Sequence, residues 1–394
     1  MPTVTELQLF AVDLPFKAAF RHAAAVRTSS ESLFLRIRLD SGAEGWGESL
    51  PRAYVSGESR EGAFALLRDS ILPALVGRSF ASLPEVVSFL EKCDGKAPTE
   101  WVPPHTPQSA AWGSVDLALL DVFGRVFGEP VSLGPAGGPA AAEGALERYR
   151  YSGVVSAGRG WRYAVSLLKL RAFRFAQVKL KVERDGAVAA ARTAGRLLGR
   201  RVELRVDANM AWEVEQALEV IGQLGSVGVR SVEQPIAADD LAGLGRLVAA
   251  SSAQIVVDEG LTDRDSLQRF ISHRACTGAN VRISKCGGLV GAYARCREVL
   301  DAGLMLQVGC QVGESSLLSA AHLLLLSALA PLTPGVRYAE GCFGRHLLRE
   351  DPVLPLVQFG YGGRPPRPPA GPGLGVRVDQ AMLQRWAVDQ ARIA

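Results

Sequence analysis

The chain has 394 residues, 21% charged and 48% apolar, with a formal net charge of +4 and a pI near 8.8. That is the balance of an ordinary globular protein long enough for two or three domains, and with no Lys/Arg block it argues against a nucleic-acid partner. Six cysteines without a C-x-x-C pair make no disulfide framework, no signal-peptide pattern opens the chain, and the most apolar stretch, Leu323–Leu326 followed by Ala328–Ala330, is far short of the roughly 20 residues that cross a bilayer; a cytoplasmic protein with no membrane role is expected.

From the N-terminus, Thr5–Val12, Ser32–Leu39 and Gly45-Trp46-Gly47-Glu48, with a turn at Ser41-Gly42, predict an antiparallel meander. Ala63–Leu75, Leu83–Lys92 and Ser109–Val126 carry helical periodicity between Pro-rich breaks. Strands followed by helices suggest an α+β module. A Gly/Pro/Ala-rich stretch, Leu133–Gly144, reads as a linker. Beyond it strands and helices alternate, with strands predicted at Arg148–Val154, Ala176–Lys181, Val202–Asp207, Val229–Glu233, Gln254–Asp258, Ala279–Ser284, Leu304–Val308 and Val336–Glu340. Seven helices between eight strands approach a (β/α) barrel whose last unit lacks its helix. The Pro/Gly-rich run Gly360–Gly375 and the amphipathic end Gln380–Ile393 read as a return over the barrel mouth to the first module.

The predicted barrel strands end in charge. Lys181, Asp207, Glu233, Asp258 and Lys285 follow one another at intervals of about 25 to 27 positions, close to one strand-helix unit of roughly 30 residues. In such barrels the C-terminal strand ends build the active site. Asp207, Glu233 and Asp258, with no His or Cys nearby in sequence, suit a hard cation, Mg²⁺ or Mn²⁺. Asn209, two residues past Asp207, points the same way and supports the metal. Lys179 and Lys181 share a strand face, and two neighbouring cations are expected to lower a lysine pKa toward that of a general base. Lys285 lies about four units further round. A cation between two opposed lysines fits removal and return of a proton α to a carboxylate through an enolate. Gly287-Gly288 before a helix reads as a plain turn more readily than as a phosphate cradle.

These elements, Lys179-Leu180-Lys181, Asp207-Ala208-Asn209, Glu233-Gln234-Pro235, Asp258-Glu259 and Lys285-Cys286-Gly287-Gly288, resemble in order the pattern of the muconate-lactonizing-enzyme subgroup of the enolase superfamily. Gly45-Trp46-Gly47-Glu48, Ser114–Asp121 and Gly371–Val376 resemble that family's capping domain and returning tail, so the likeness spans nearly the whole chain. It implies an α/β fold, a modified TIM barrel of (β/α)7β type at 136–358, with an α+β capping domain at 1–135 joined by a tail at 359–394. It further implies Mg²⁺ on Asp207, Glu233 and Asp258, an acid/base pair of Lys181 and Lys285, Lys179 tuning Lys181, and Asn209 and Glu259 in support. The reactions implied are racemisation or epimerisation of N-acyl amino acids or dipeptides, or cycloisomerisation of a muconate, with dehydration of the o-succinylbenzoate synthase type as the alternative. A small carboxylate substrate and a homo-oligomer are expected.

The family's glutamate in the seventh-strand region has its counterpart in Glu314, one position late, which makes helix capping an equal reading. The last strand ends at Glu340 without the aspartate pair that resembles dipeptide epimerases' ammonium site. Substrate choice falls to the capping loops, where Arg21, Arg27 or Arg52 is a candidate for a distal carboxylate and Tyr54 lines the same loops. His22 reads as a structural contact. A Schiff-base aldolase and a barrel retained for binding are the readings from other classes.

Overall fold

The computed structural model describes residues 1–22, 25–134, 144–332 and 334–394. Its first strands are β1 (Val4–Val12), β2 (Pro15–His22), β3 (Ala25–Ser29), β4 (Ser32–Leu39) and β5 (Glu44–Ser49). β2 and β3 pair as a hairpin of their own, whereas β1, β4 and β5 form an antiparallel sheet. The buried helix Ser109–Phe127 lies across that sheet. Glycines explain how closely it approaches: a Cβ on Gly47 would sit 1.9 Å from Ser114 O, and one on Gly45 2.2 Å from the Val122 nitrogen. The Gly-Trp-Gly spacing of β5 is therefore a packing surface for that helix.

The stretch expected as one helix, Ala63–Leu75, runs as Arg60–Leu66, a π-turn at Leu67–Ile71 and a last turn at Leu72–Leu75. Pro73 lacks the N–H that a regular helix would need there, which accounts for the irregularity. The Leu133–Gly144 linker falls mostly at 135–143, outside the described residues.

Eight parallel strands follow: β6 (Gly153–Ser156), β7 (Gln177–Lys181), β8 (Glu203–Asp207), β9 (Val229–Glu233), β10 (Gln254–Val257), β11 (Gly278–Arg282), β12 (Met305–Gly309) and β13 (Val336–Ala339). They lie in sequence order in one curled sheet, and one helix spans each connection. An isolated parallel bridge joins Tyr151 to Ala339, and the Ser152 amide donates to Ala339 O at 3.1 Å. The first strand starts later than the expected Arg148, because the returning tail takes up the preceding backbone: the Tyr151 amide donates to Gly363 O at 2.7 Å.

The period of two decides what reaches the interior of the curled sheet. On β7, Val178 and Leu180 join the core while Lys179 and Lys181 point the other way. Register pairs Lys181 with Asp207 and Asp207 with Glu233 across three neighbouring strands. After β13 come β14 (Val353–Leu354) and β15 (Arg377–Val378), which pair with each other, and then β16 (Ala387–Ile393), which pairs with β1. The tail thus returns to the N-terminal sheet. Among the described residues no helix is long and apolar enough to cross a membrane.

Candidate active site

The C-terminal ends of the strands hold a buried cluster of charges. Asp207 ends β8, Glu233 ends β9, Asp258 follows β10, and all three are essentially inaccessible to solvent. Lys179 Nζ lies 3.4 Å from Asp207 Oδ2, 3.2 Å from Glu233 Oε2 and 2.6 Å from Glu340 Oε2. Arg282, ending β11, ion-pairs with Asp258 and stands 3.6 Å from Glu233 Oε1. One network therefore spans the three carboxylates.

The two other lysines flank it on different sides. Lys181 Nζ donates to Asp207 Oδ2 at 2.9 Å and Asn209 Oδ1 at 3.2 Å. Lys285, fully buried, donates to Asp258 Oδ1 at 2.7 Å, Asp258 O at 2.6 Å and Asn280 O at 2.8 Å. Asn209 Nδ2 reaches Glu259 Oε1 at 3.0 Å, while Glu259 Oε2 is buried without a partner. Asn209, Met210 and Gln234 have left-handed backbone, φ 44°, 62° and 37°, a conformation that costs energy in non-glycine residues and gathers at functional sites.

Electrostatics differ residue by residue. Burial opposes ionisation of Asp207, but Lys181 and Lys179 outweigh it and hold the carboxyl well below its usual range. Burial likewise opposes charge on Glu340, and Lys179 and Arg205 bring it down to about 2. Glu233 is raised, because burial and the neighbouring carboxylates prevail over Lys179. Burial, then Asp258 and Asp207, push Glu259 up to about 8. The mutual lowering expected of the lysine pair does not describe Lys179 here: burial disfavours its charge, yet Glu233, Glu340 and Asp207 hold its pKa above the ordinary lysine value.

Several participants were not legible as site residues. Arg205 is buried and donates to Gln307 Oε1 at 2.7 Å, Ser152 Oγ at 2.7 Å and Glu340 Oε1 at 2.6 Å, with its guanidinium 4.1 Å from the Tyr338 ring centre. Glu233 accepts from Asn280 Nδ2 at 2.9 Å and Gln307 Nε2 at 2.8 Å. The available signal was the period of two: Arg205 precedes Asp207, and Asn280 precedes Arg282, by two positions.

The loop candidates fare differently. Arg52, expected as a partner for a distal carboxylate, is buried, with its guanidinium on the carbonyls of Ser30, Glu31, Pro51 and Val312. Burial, and after it Arg27, lower its pKa to about 10. Arg27 pairs with Glu31 and lies 5.9 Å from the Tyr54 ring centre. The side chain of Arg21 lies outside the described residues. Glu314 accepts the Gln311 amide at 2.6 Å, closing a local turn, and burial pushes it up to about 8. The helix Ser316–Leu329 is capped instead by Ser315, whose Oγ accepts the Leu317 amide at 3.1 Å, and by Glu48, which accepts the amides of Ser315 and Leu318 at 3.1 and 3.4 Å. Gly287-Gly288 is a turn: a Cβ on Gly287 would meet Gly95 O at 2.0 Å. The first amides of the helix it opens already have an acceptor, since Asp116 accepts from Leu289 and Val290 at 2.6 and 3.3 Å.

The donor set fits a hard cation. It is all oxygen, buried, and includes the unpartnered Glu259 Oε2 and Asn280 Oδ1. Among the described residues no three side chains of ligand type stand close enough to hold an ion as placed; Arg282 and Lys285 pair with Asp258, Lys181 with Asp207 and Lys179 with Glu233.

Two family models match: "Mandelate racemase / muconate lactonizing enzyme, N-terminal domain" over residues 4–133 and "Enolase C-terminal domain-like" over 162–382. The N-succinyl-L-Arg/Lys racemase of Bacillus cereus is 24% identical, covering 98% of both chains. The chloromuconate cycloisomerase of Cupriavidus pinatubonensis is 25% identical over 95% of this chain and 96% of its own. A crystal structure of a dipeptide epimerase from Cytophaga hutchinsonii, complexed with Mg and the dipeptide D-Ala-L-Val, superposes with a TM-score of 0.82 over the whole of both chains at 22% identity.

Proposed function

The chain belongs to the mandelate racemase/muconate lactonizing enzyme family of the enolase superfamily, and on that footing we propose that it is an isomerase that moves the proton α to a substrate carboxylate. The observation that carries this reading is the cluster itself: three buried carboxylates on consecutive strand ends, flanked by Lys181 on the Asp207 side and Lys285 on the Asp258 side. Asp207, Glu233 and Asp258 would hold Mg²⁺ or Mn²⁺, which would supply positive charge beside the substrate carboxylate.

Lys181 and Lys285 are the proton carriers. Placed on different flanks, one takes the α-proton and the other returns it to the opposite face of the enolate, which inverts the centre. Asn209 positions Lys181 and is held by Glu259; Lys179 keeps positive charge among Glu233, Glu340 and Asp207. Asn280 and Gln307 donate to the two oxygens of Glu233 and so fix the orientation of its carboxylate. Charge-charge contacts in so dry a place are strong, which favours stabilisation of a developing anion.

We read the curled sheet as a (β/α)7β barrel, supported by the Tyr151–Ala339 bridge, with a cap at 1–135, the barrel at 136–358 and a tail at 359–394. The substrate class is a small carboxylate, an N-acyl amino acid or dipeptide to be racemised or epimerised, or a muconate to be cyclised. The test is an NMR screen of these three classes in deuterated buffer with Mg²⁺. Exchange of the α-proton, lost with EDTA, supports the reading, and mass spectrometry of the products separates isomerisation from dehydration. A lysine adduct trapped by borohydride, with turnover indifferent to EDTA, overturns it in favour of a Schiff-base enzyme.

A further inference from the structure

A wide cavity lies at the other end of the strands. About 1750 Å³ in volume, it is lined by the first residues of β7, β8, β10, β12 and β13, namely Gln177, Glu203, Gln254, Met305 and Val336. The candidate active site uses the last residues of the same strands, so this bowl is a separate place.

Its charge is one-sided. Seven arginines line it against a single carboxylate, Glu203, in a chain whose whole net charge is +4. Glu203 is already committed, 2.8 Å from Arg337 and bonded to the Tyr338 hydroxyl. Arg148 donates to Ala330 O at 2.6 Å. The other five, Arg192, Arg196, Arg200, Arg201 and Arg230, are exposed and have no hydrogen bond or ion pair to any described residue. Four of them fall within residues 192–201, in a helix and the loop after it, and the start of β9 brings the fifth beside them. A helix C-terminus accounts for the position of Arg196. It does not account for five exposed, unpaired arginines lining one concavity, where like charges repel unless an anion lies between them.

The lining also says what the anion lacks. The lining's one aromatic side chain, Tyr338, is buried with the Arg205 and Arg337 guanidinium groups against its ring, so it offers bases no open stacking face. Among the described residues none of the exposed large apolar side chains lies in the bowl as an anchor for a protein interface. Guanidinium forks suit phosphate oxygens in pairs. We propose that this bowl binds a linear chain of phosphates, an inorganic polyphosphate, through Arg192, Arg196, Arg200, Arg201 and Arg230.

The test titrates a short-chain linear polyphosphate into the full-length protein by calorimetry. One saturable site is expected, and five phosphate contacts predict an affinity falling about a hundredfold between 50 and 200 mM salt. The triple variant Arg196→Gln, Arg200→Gln, Arg201→Gln weakens binding at least about tenfold, leaving the melting temperature and the Mg²⁺-dependent proton exchange unchanged, since the three groups are solvent-exposed and unpaired. Lys285→Ala binds polyphosphate as the parent does. Absence of saturable binding at 50 mM salt, or full binding by the triple variant, overturns the proposal. Loss of binding in Lys285→Ala also overturns it, placing the anion in the other site. An RNA homopolymer with the same number of phosphates binding more than about tenfold tighter overturns the choice of phosphate alone.

Discussion

Two sets of buried carboxylates divide this molecule, and what faces them differs. At the strand ends Asp207 and Glu340 face ammonium and guanidinium groups, which hold them ionised although burial opposes it. Where the N-terminal region meets the parallel sheet, Glu48 and Asp116 bond to amides and, at Glu48, to the Ser32 and Ser315 hydroxyls, with no side-chain cation among those partners. Burial, joined at Glu48 by the nearby Glu314 and Asp351, pushes both up to about 8 despite those bonds. Side-chain cations can swing away and let an ion or a substrate take their place. The backbone amides of a helix start cannot, so the same residue type becomes an exchangeable ligand in one place and a permanent staple in the other.

The largest effect should come from the exchangeable set. Asp258→Asn weakens the acceptor shared by Lys285 and Arg282, and α-proton exchange should fall by about a thousandfold or more, with the Mg²⁺-induced rise in melting temperature lost as well. The staple set should answer with stability instead. Asp116→Ala leaves the Leu289 and Val290 amides buried without an acceptor and should cost about 2–3 kcal/mol in chemical denaturation, while exchange per folded molecule stays within about threefold. A large loss of exchange at unchanged stability would erase the distinction.

Arg282 sharpens it further. Arg282→Met frees an oxygen of Asp258, so Mg²⁺ affinity by calorimetry should rise roughly tenfold, a gain of about 1.4 kcal/mol, while the metal-free protein melts lower. Weaker Mg²⁺ binding would mean that Arg282 assists the ion rather than competing with it.

The staples should also show in the pH dependence of stability. A carboxyl raised to about 8 in the fold binds a proton that the unfolded chain has released above about pH 4. Its contribution is therefore fully present below the unfolded value and is lost as pH rises toward 8. Asp116→Asn should flatten part of the decline in denaturation midpoint across that window, and an unchanged slope would show that Asp116 stays ionised throughout.

Much of this was open to a reader of the sequence, for a physical reason. One charged residue per strand-helix unit leaves a period of about 26 positions, and the period of two within Gln177–Lys181 puts both lysines on one side. What was hidden depends on how the sheet curls in space. Arg205 looks like an ordinary strand arginine until Glu340, more than a hundred residues on, is brought beside it. Arg52 was legible as a loop cation, but its burial under four carbonyls follows from the packing of β3, β4 and the segment at Val312. Asp116 and Asp121 sit in a helix of apolar periodicity, and only the docked helix Gly288–Asp301 and the returning tail at Leu374 reveal what they hold.

The central claim, two lysines serving opposite faces of one enolate, is tested most directly by deuterium incorporation at the α-carbon of each enantiomer of a turned-over N-acyl amino acid, followed by NMR in single lysine variants. The prediction is that Lys181→Ala loses exchange from one enantiomer and Lys285→Ala from the other, each by about 10²- to 10⁴-fold, with Mg²⁺ binding retained. Full exchange of both enantiomers in either variant would contradict it.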